Sequence, residues 1–103
     1  MTTKNWVGIE SLEARFGAMT VGLFLKAFRE SDELSQVDFA RKLKISRANL
    51  CDLEKDRKLV SPERAAKFAR ILKVPETALV RLALQDLLRA AHLNYRVEIK
   101  GAS

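Results

Sequence analysis

The sequence predicts a single all-α domain, on three observations. Glycine (4) and proline (2) are scarce among 103 residues, which leaves little material for long loops. Hydrophobic residues make up 48% of the chain and recur at helical spacing through most of it. β-Branched residues gather only near the C-terminus. The length suits one compact core and is too short for two.

The elements follow in order. Met1 to Ile9 reads as a loose arm whose apolar content is Trp6, Val7 and Ile9. A tail tryptophan most often serves as a packing anchor; the alternative is a contact with a partner or with DNA. Glu10 to Phe16 can form a short helix with Leu12 and Phe16 spaced i,i+4 and Gly17 as its stop. Thr20 caps a helix over Val21 to Ser31, with Leu23, Phe24, Ala27 and Phe28 as its apolar stripe. Ser31-Asp32-Glu33 is a polar loop. Ser35 caps a helix over Gln36 to Leu43, whose apolar positions are Val37, Phe39, Ala40 and Leu43. Ser46 caps Arg47 to Lys55. Ser61-Pro62-Glu63 is a strong helix start, combining an N-cap, proline at N1 and an acid in the first turn. That helix runs to about Leu72 on Ala65, Phe68, Ala69 and Leu72, and Lys73-Val74-Pro75 ends it.

A fifth helix, about Pro75 to His92, is apolar around most of its circumference, with only Arg81, Gln85 and Arg89 as a clean polar stripe. A small domain is not expected to cover so wide an apolar surface alone. The surplus, carried by Leu79, Leu82, Leu84, Leu87 and Leu88, is expected to meet the same helix of a twofold-related copy. After it, Tyr95-Arg96-Val97-Glu98-Ile99-Lys100 alternates apolar and polar, the period of a strand. A lone strand needs another edge, and no other stretch reads as one. Its partner is the same segment of a second copy or the sheet edge of another protein; a frayed tail with chance alternation also fits.

The two helices on either side of Lys44-Ile45 are joined so closely that they must cross steeply, which is a helix-turn-helix arrangement. At about 100° per residue, Leu50 and Leu53 fall on the inner side of the second helix, with Ile45 beneath them. Arg47, Ala48, Cys51, Asp52 and Lys55 fall on the outer side. An ordinary solvated face can look like this. So can a reader of the DNA major groove, which needs a bidentate donor, room for close approach and an acceptor. Cys51 is either groove-facing or a small buried thiol.

Net charge is +6, and its distribution is uneven. Residues 1–33 carry 4 basic and 5 acidic side chains, residues 34–60 carry 7 and 4, and residues 61–103 carry 8 and 4. The surplus lies on the paired helices and beyond, as a polyanion binder requires. One cysteine rules out an internal disulfide, and one histidine beside it cannot build a structural zinc site. His92 stands at a helix end as a capping or surface residue. No phosphate loop, catalytic constellation or cofactor motif is visible, so an enzyme is not expected. With no apolar run long enough for a signal peptide or a membrane span, a cytoplasmic protein is expected.

Leu34-Ser35-Gln36, Phe39-Ala40, Leu43, Ile45-Ser46-Arg47, Leu50, Leu53-Glu54-Lys55 and Ser61-Pro62 together resemble the Xre-like helix-turn-helix regulators. That family includes phage repressors of the lambda and Cro type and many antitoxins. The resemblance runs roughly from Val21 to Val74. It implies a five-helix lambda-repressor-like domain with an N-terminal arm, to which the alternation at residues 95–100 can add a short C-terminal strand. It implies a pairing of Arg29 with Glu54 that locks the first helix against the recognition helix. It places Arg57 and Lys58, after that helix, along the DNA backbone. The family usually has glycine where this chain has Lys44, which implies a left-handed turn there.

On this reading residues 1–19 are an arm and short helix, 20–74 the DNA-binding domain and 75–103 a dimerisation helix and tail. Arg47, Ala48 and Asp52, with Cys51, would read bases, while Gln36, Asn49, Arg57 and Lys58 would hold phosphates. The expected protein is a homodimeric repressor on a palindromic double-stranded operator. The nearest alternative is an antitoxin that binds both its operator and a toxin protein. A more distant one is a protein-interaction module without DNA affinity.

Overall fold

The structure is a computed structural model that describes residues 19–100. The expected arm, Trp6 and the helix over Glu10 to Phe16 lie outside the described residues. Five helices follow in order: α1 Val21–Ser31, α2 Gln36–Leu43, α3 Arg47–Glu54, α4 Pro62–Leu72 and α5 Glu76–Ala90.

Local chemistry sets both ends of these helices. The hydroxyls of Thr20, Ser35, Ser46 and Ser61 accept from the amides of Leu23, Asp38, Asn49 and Arg64 at 3.0 to 3.2 Å. Each such cap is worth about 1 kcal/mol. α5 has Pro75 at its cap position and no side-chain cap; Glu76 supplies a negative charge to its first turn. Past each helix one residue turns left-handed: Glu33, Lys44, Asp56, Lys73 and His92, with φ between 56° and 62°. The next amide then reaches back five residues, from Leu34 to Arg29, Ile45 to Ala40, Arg57 to Asp52, Val74 to Ala69 and Leu93 to Leu88, at 2.8 to 3.0 Å. This is the Schellman closure, here made without glycine at any of the five ends. A left-handed side chain costs about 1 kcal/mol, which the recovered carbonyl bonds offset.

One core joins all five helices. Phe24, Phe28 and Phe39 meet at centroid distances of 6.1 and 6.0 Å, and Leu43, Leu50, Leu53, Phe68, Leu79 and Leu82 close around them. α1 buries Val21, Phe24, Leu25 and Phe28, whereas Leu23, expected on its stripe, is 43% exposed. Val37 is exposed too: it lies across the α2 axis from Phe39, so the two cannot share a face.

α1 is pinned at its N-terminus from two sides. Gly22 is buried where α1 runs onto the end of α3; a Cβ there would collide with the Leu53 carbonyl oxygen and lie 2.6 Å from Asp56 Oδ1. This close approach requires glycine despite its cost inside a helix. From the other side the buried Asp86 of α5 accepts the Val21 amide at 3.0 Å and a bond from Arg89 at 3.0 Å. Burial pushes the Asp86 carboxyl above its ordinary value, against the opposing effect of those donors.

One expectation is corrected here. Leu79 and Leu82 are fully buried in the chain's own core, so they cannot meet a second copy. α5 lies across α4 and α1 with that side inward, because one face of so apolar a helix completes the domain. No strand occurs among the described residues. Residues 93–100 leave α5 as a segment without regular secondary structure of its own, since no strand among the described residues offers them an edge.

Candidate nucleic-acid interface

Leu50 and Leu53 turn α3 inward, and its opposite side faces solvent. Arg47 and Ala48 are exposed there, Cys51 and Asp52 are half-buried, and Lys55 is exposed. Arg47 makes no ion pair or hydrogen bond among the described residues, so its guanidinium is available to a ligand. Cys51 is a free thiol of intermediate burial, neither fully outward nor sealed in.

The back of α3 is held by charge. Arg29 Nε donates to Glu54 Oε2 at 2.7 Å, and Arg29 Nη2 to Glu54 Oε1 at 3.0 Å. Gln36 Nε2 adds a third bond to Glu54 Oε1 at 3.0 Å. Arg29 Nη1 also donates to the Leu34 carbonyl at 3.1 Å, so one guanidinium ties α1, the loop before α2 and the end of α3. The Glu54 side chain is only 3% exposed, and its hydrogen bonds hold the Arg29 proton more firmly than usual, against the effect of burial. The turn between α2 and α3 closes through Lys44, left-handed at φ 62°, ψ 41°.

Several candidate contacts have partners that their sequence positions do not disclose. The Gln36 amide commits one proton to Glu54, leaving the other at the N-terminal end of α2. Asn49 buries its side-chain oxygen without a hydrogen-bond partner, which leaves the amide nitrogen as the atom able to meet an anion. Asp52 lies 3.5 Å from both Arg57 Nη1 and Lys58 Nζ. The acidic position on the outward side of α3 and the two cations behind it therefore form one cluster. Both cationic side chains are 60% exposed, and contacts this long are weak. Arg41, Lys42 and Lys44 add exposed positive charge around the turn, Arg41 being 3.4 Å from Asp38.

Gly22, Asp86 and the third bond from Gln36 escaped the sequence reading. A lone glycine inside an amphipathic run and an acid amid the leucines of α5 are the available signals. No group of three or more histidine, cysteine or acidic side chains among the described residues could hold a metal ion, and no helix there is long and apolar enough to cross a membrane.

Comparison with curated proteins and with solved structures gives no match. The sequence pattern of the helix-turn-helix domain family matches residues 20–82, more than half of the chain and all of α1 to α4. With the two short helices, their tight turn and the cationic surround in place, the chain belongs to the helix-turn-helix domain family of DNA-binding proteins.

Proposed function

We propose that this protein is a homodimeric, sequence-specific transcriptional regulator of the Xre-like kind, a repressor that reads the DNA major groove with α3. The observation that carries the reading is the two-sidedness of α3. Its back is locked by Arg29, Gln36 and the core, while Arg47 and Ala48 face out unpaired beside Cys51 and Asp52. A guanidinium free to make a bidentate contact suits guanine, a small neighbour suits a thymine methyl, and a carboxylate can accept from a cytosine amino group. Gln36, Asn49, Arg57 and Lys58 would supply phosphate contacts that position the helix. The second copy would meet the outward side of α5, where Leu87 is 40% exposed and Leu84 and Leu88 are half-buried.

Selection of bound sequences from random duplex DNA, followed by titration of variants at several salt concentrations, tests this. Arg47→Ala is expected to lose about 1–3 kcal/mol on the selected site and relax one base preference. Arg57→Ala should weaken every duplex alike and flatten the salt dependence. Failure to enrich any sequence, with binding insensitive to salt, would remove the DNA-reading role. Co-purification of a neighbouring gene product bound away from α3 would make the chain an antitoxin that also represses its operon.

A further inference from the structure

The side-chain amide of Gln85 on α5 grips the tail at two backbone atoms. Its Nε2 donates to the Tyr95 carbonyl at 2.7 Å, and its Oε1 accepts from the Val97 amide at 2.8 Å. The two bonds straddle Arg96. A residue on a parallel neighbouring strand grips its partner in this pattern, so Gln85 occupies one edge of the segment as a strand would. Burial alternates beyond it: Val97 and Ile99 are half-buried, and Arg96, Glu98 and Lys100 are exposed. The amides and carbonyls of Arg96 and Glu98 belong to the opposite edge, where they make no hydrogen bond among the described residues. Tyr95, expected to lie against an apolar surface, is 68% exposed.

We propose that residues 95–100 pair antiparallel with the same segment of a second copy, about a twofold axis at Val97. This deepens the dimeric reading above and rests on it. The register follows from two independent constraints. The Gln85 grip uses the Val97 amide, which makes Val97 opposite Val97 a pair without backbone bonds and leaves Arg96 and Glu98 to make them. The axis at Val97 sets each Arg96 opposite Glu98 of the second copy, with both backbone bonds exchanged, and sets Tyr95 opposite Ile99. Moving the axis to Glu98 would instead face Glu98 with itself and Arg96 with Lys100. Opposite charges directly across an antiparallel pair attract and like charges repel; an axis at Ile99 would also face Glu98 with Lys100, but only the Val97 register pairs Arg96 with Glu98 and Tyr95 with Ile99 within residues 95–100. The uncovered ring of Tyr95 gains an apolar neighbour in that register.

Sedimentation of the full chain and its charge-swapped variants tests the pairing. Arg96→Glu and Glu98→Arg should each weaken self-association about tenfold, since both cross-strand pairs turn repulsive. The double variant should associate as the parent does, and the two single variants should prefer each other when mixed. Single swaps that associate like the parent, or a double variant that fails to recover, would overturn the proposal. A second measurement reads the register directly. In a Cys51→Ser background, Val97→Cys should oxidise to a covalent dimer, because side chains of a pair without backbone bonds lie closest. Cross-linking at Glu98→Cys in its place would overturn the register, and a parent chain that stays monomeric would overturn the pairing altogether. A chain that cross-links at position 97 but selects no duplex would sink the DNA-reading role and leave this pairing standing.

Discussion

Replacing Arg29 with alanine is expected to destabilise the domain by about 3–5 kcal/mol. Glu54 holds its carboxylate in a side chain that is 3% exposed, and two of its three hydrogen bonds come from the Arg29 guanidinium. Charge-assisted bonds are worth about 1.5 kcal/mol or more apiece, so losing two gives roughly 3 kcal/mol before desolvation is counted. The surviving bond from Gln36 is to a neutral donor and cannot compensate a buried charge. The Leu34 carbonyl also loses its partner, which loosens the entry to α2. Small domains have about 5–15 kcal/mol in total, so the loss is a large part of it. At a urea slope of about 1.5 kcal/mol per molar, the midpoint should fall by about 2–3 M. Far-ultraviolet circular dichroism in urea reads this directly. The control is Arg29→Met combined with Glu54→Leu, which removes both charges together and should recover at least half of the loss. A midpoint shift under about 0.5 M for Arg29→Ala, or a double variant as unstable as the single, would refute the claim that buried charge locks the back of α3.

Other outcomes follow from the same geometry. Lys44→Gly should stabilise the fold by a few tenths of a kcal/mol, relieving the left-handed side chain at some cost in unfolded-state entropy, and a lowered denaturation midpoint would contradict it. Asp86 has a carboxyl raised by burial, so its ionised form costs stability at neutral pH. Its contribution is present at low pH and lost as pH rises through the folded value. The parent should therefore gain on Asp86→Asn as pH falls towards the ordinary carboxylate range, and a difference independent of pH would show that burial does not govern the group. Alkylating Cys51 with a bulky reagent should abolish operator binding while circular dichroism stays unchanged; full modification with unaltered affinity would take Cys51 off the reading side.

What was legible in the sequence was local. Thr20, Ser35, Ser46 and Ser61 each stand one residue before a helix because a hydroxyl needs only its own backbone to satisfy an orphan amide. The helix ends were harder. Five left-handed residues that are glutamate, lysine, aspartate and histidine carry no signature of the kind glycine leaves, and only Lys44 was anticipated, through its place in the resembled motif. Periodicity also misassigned Leu23 and Val37, since an apolar residue beside a stripe looks like part of it until a neighbouring helix chooses the face. α5 shows this limit at its strongest. A helix apolar on nearly all sides does not disclose which leucines serve its own core, and Leu79 and Leu82 were placed at an interface when α4 and α1 already cover them.

The outward side of α3 was less legible because its charges find one another in the folded chain. In sequence, Asp52 belongs with the base readers and Arg57 and Lys58 with the phosphate contacts. In the structure they touch at 3.5 Å. Exposed pairs of this kind are worth about 0–1 kcal/mol, far too little to hold a cation away from a phosphate. On the proposed function, docking onto the backbone therefore draws Arg57 and Lys58 off Asp52, and the carboxylate becomes an available acceptor only as the phosphates are engaged. Asp52 then opposes binding to any duplex that offers it no donor, because its carboxylate is left desolvated and unpaired beside a polyanion. A carboxylate so placed selects by penalty as well as by attraction, which is how a short helix with one free arginine can discriminate among sites.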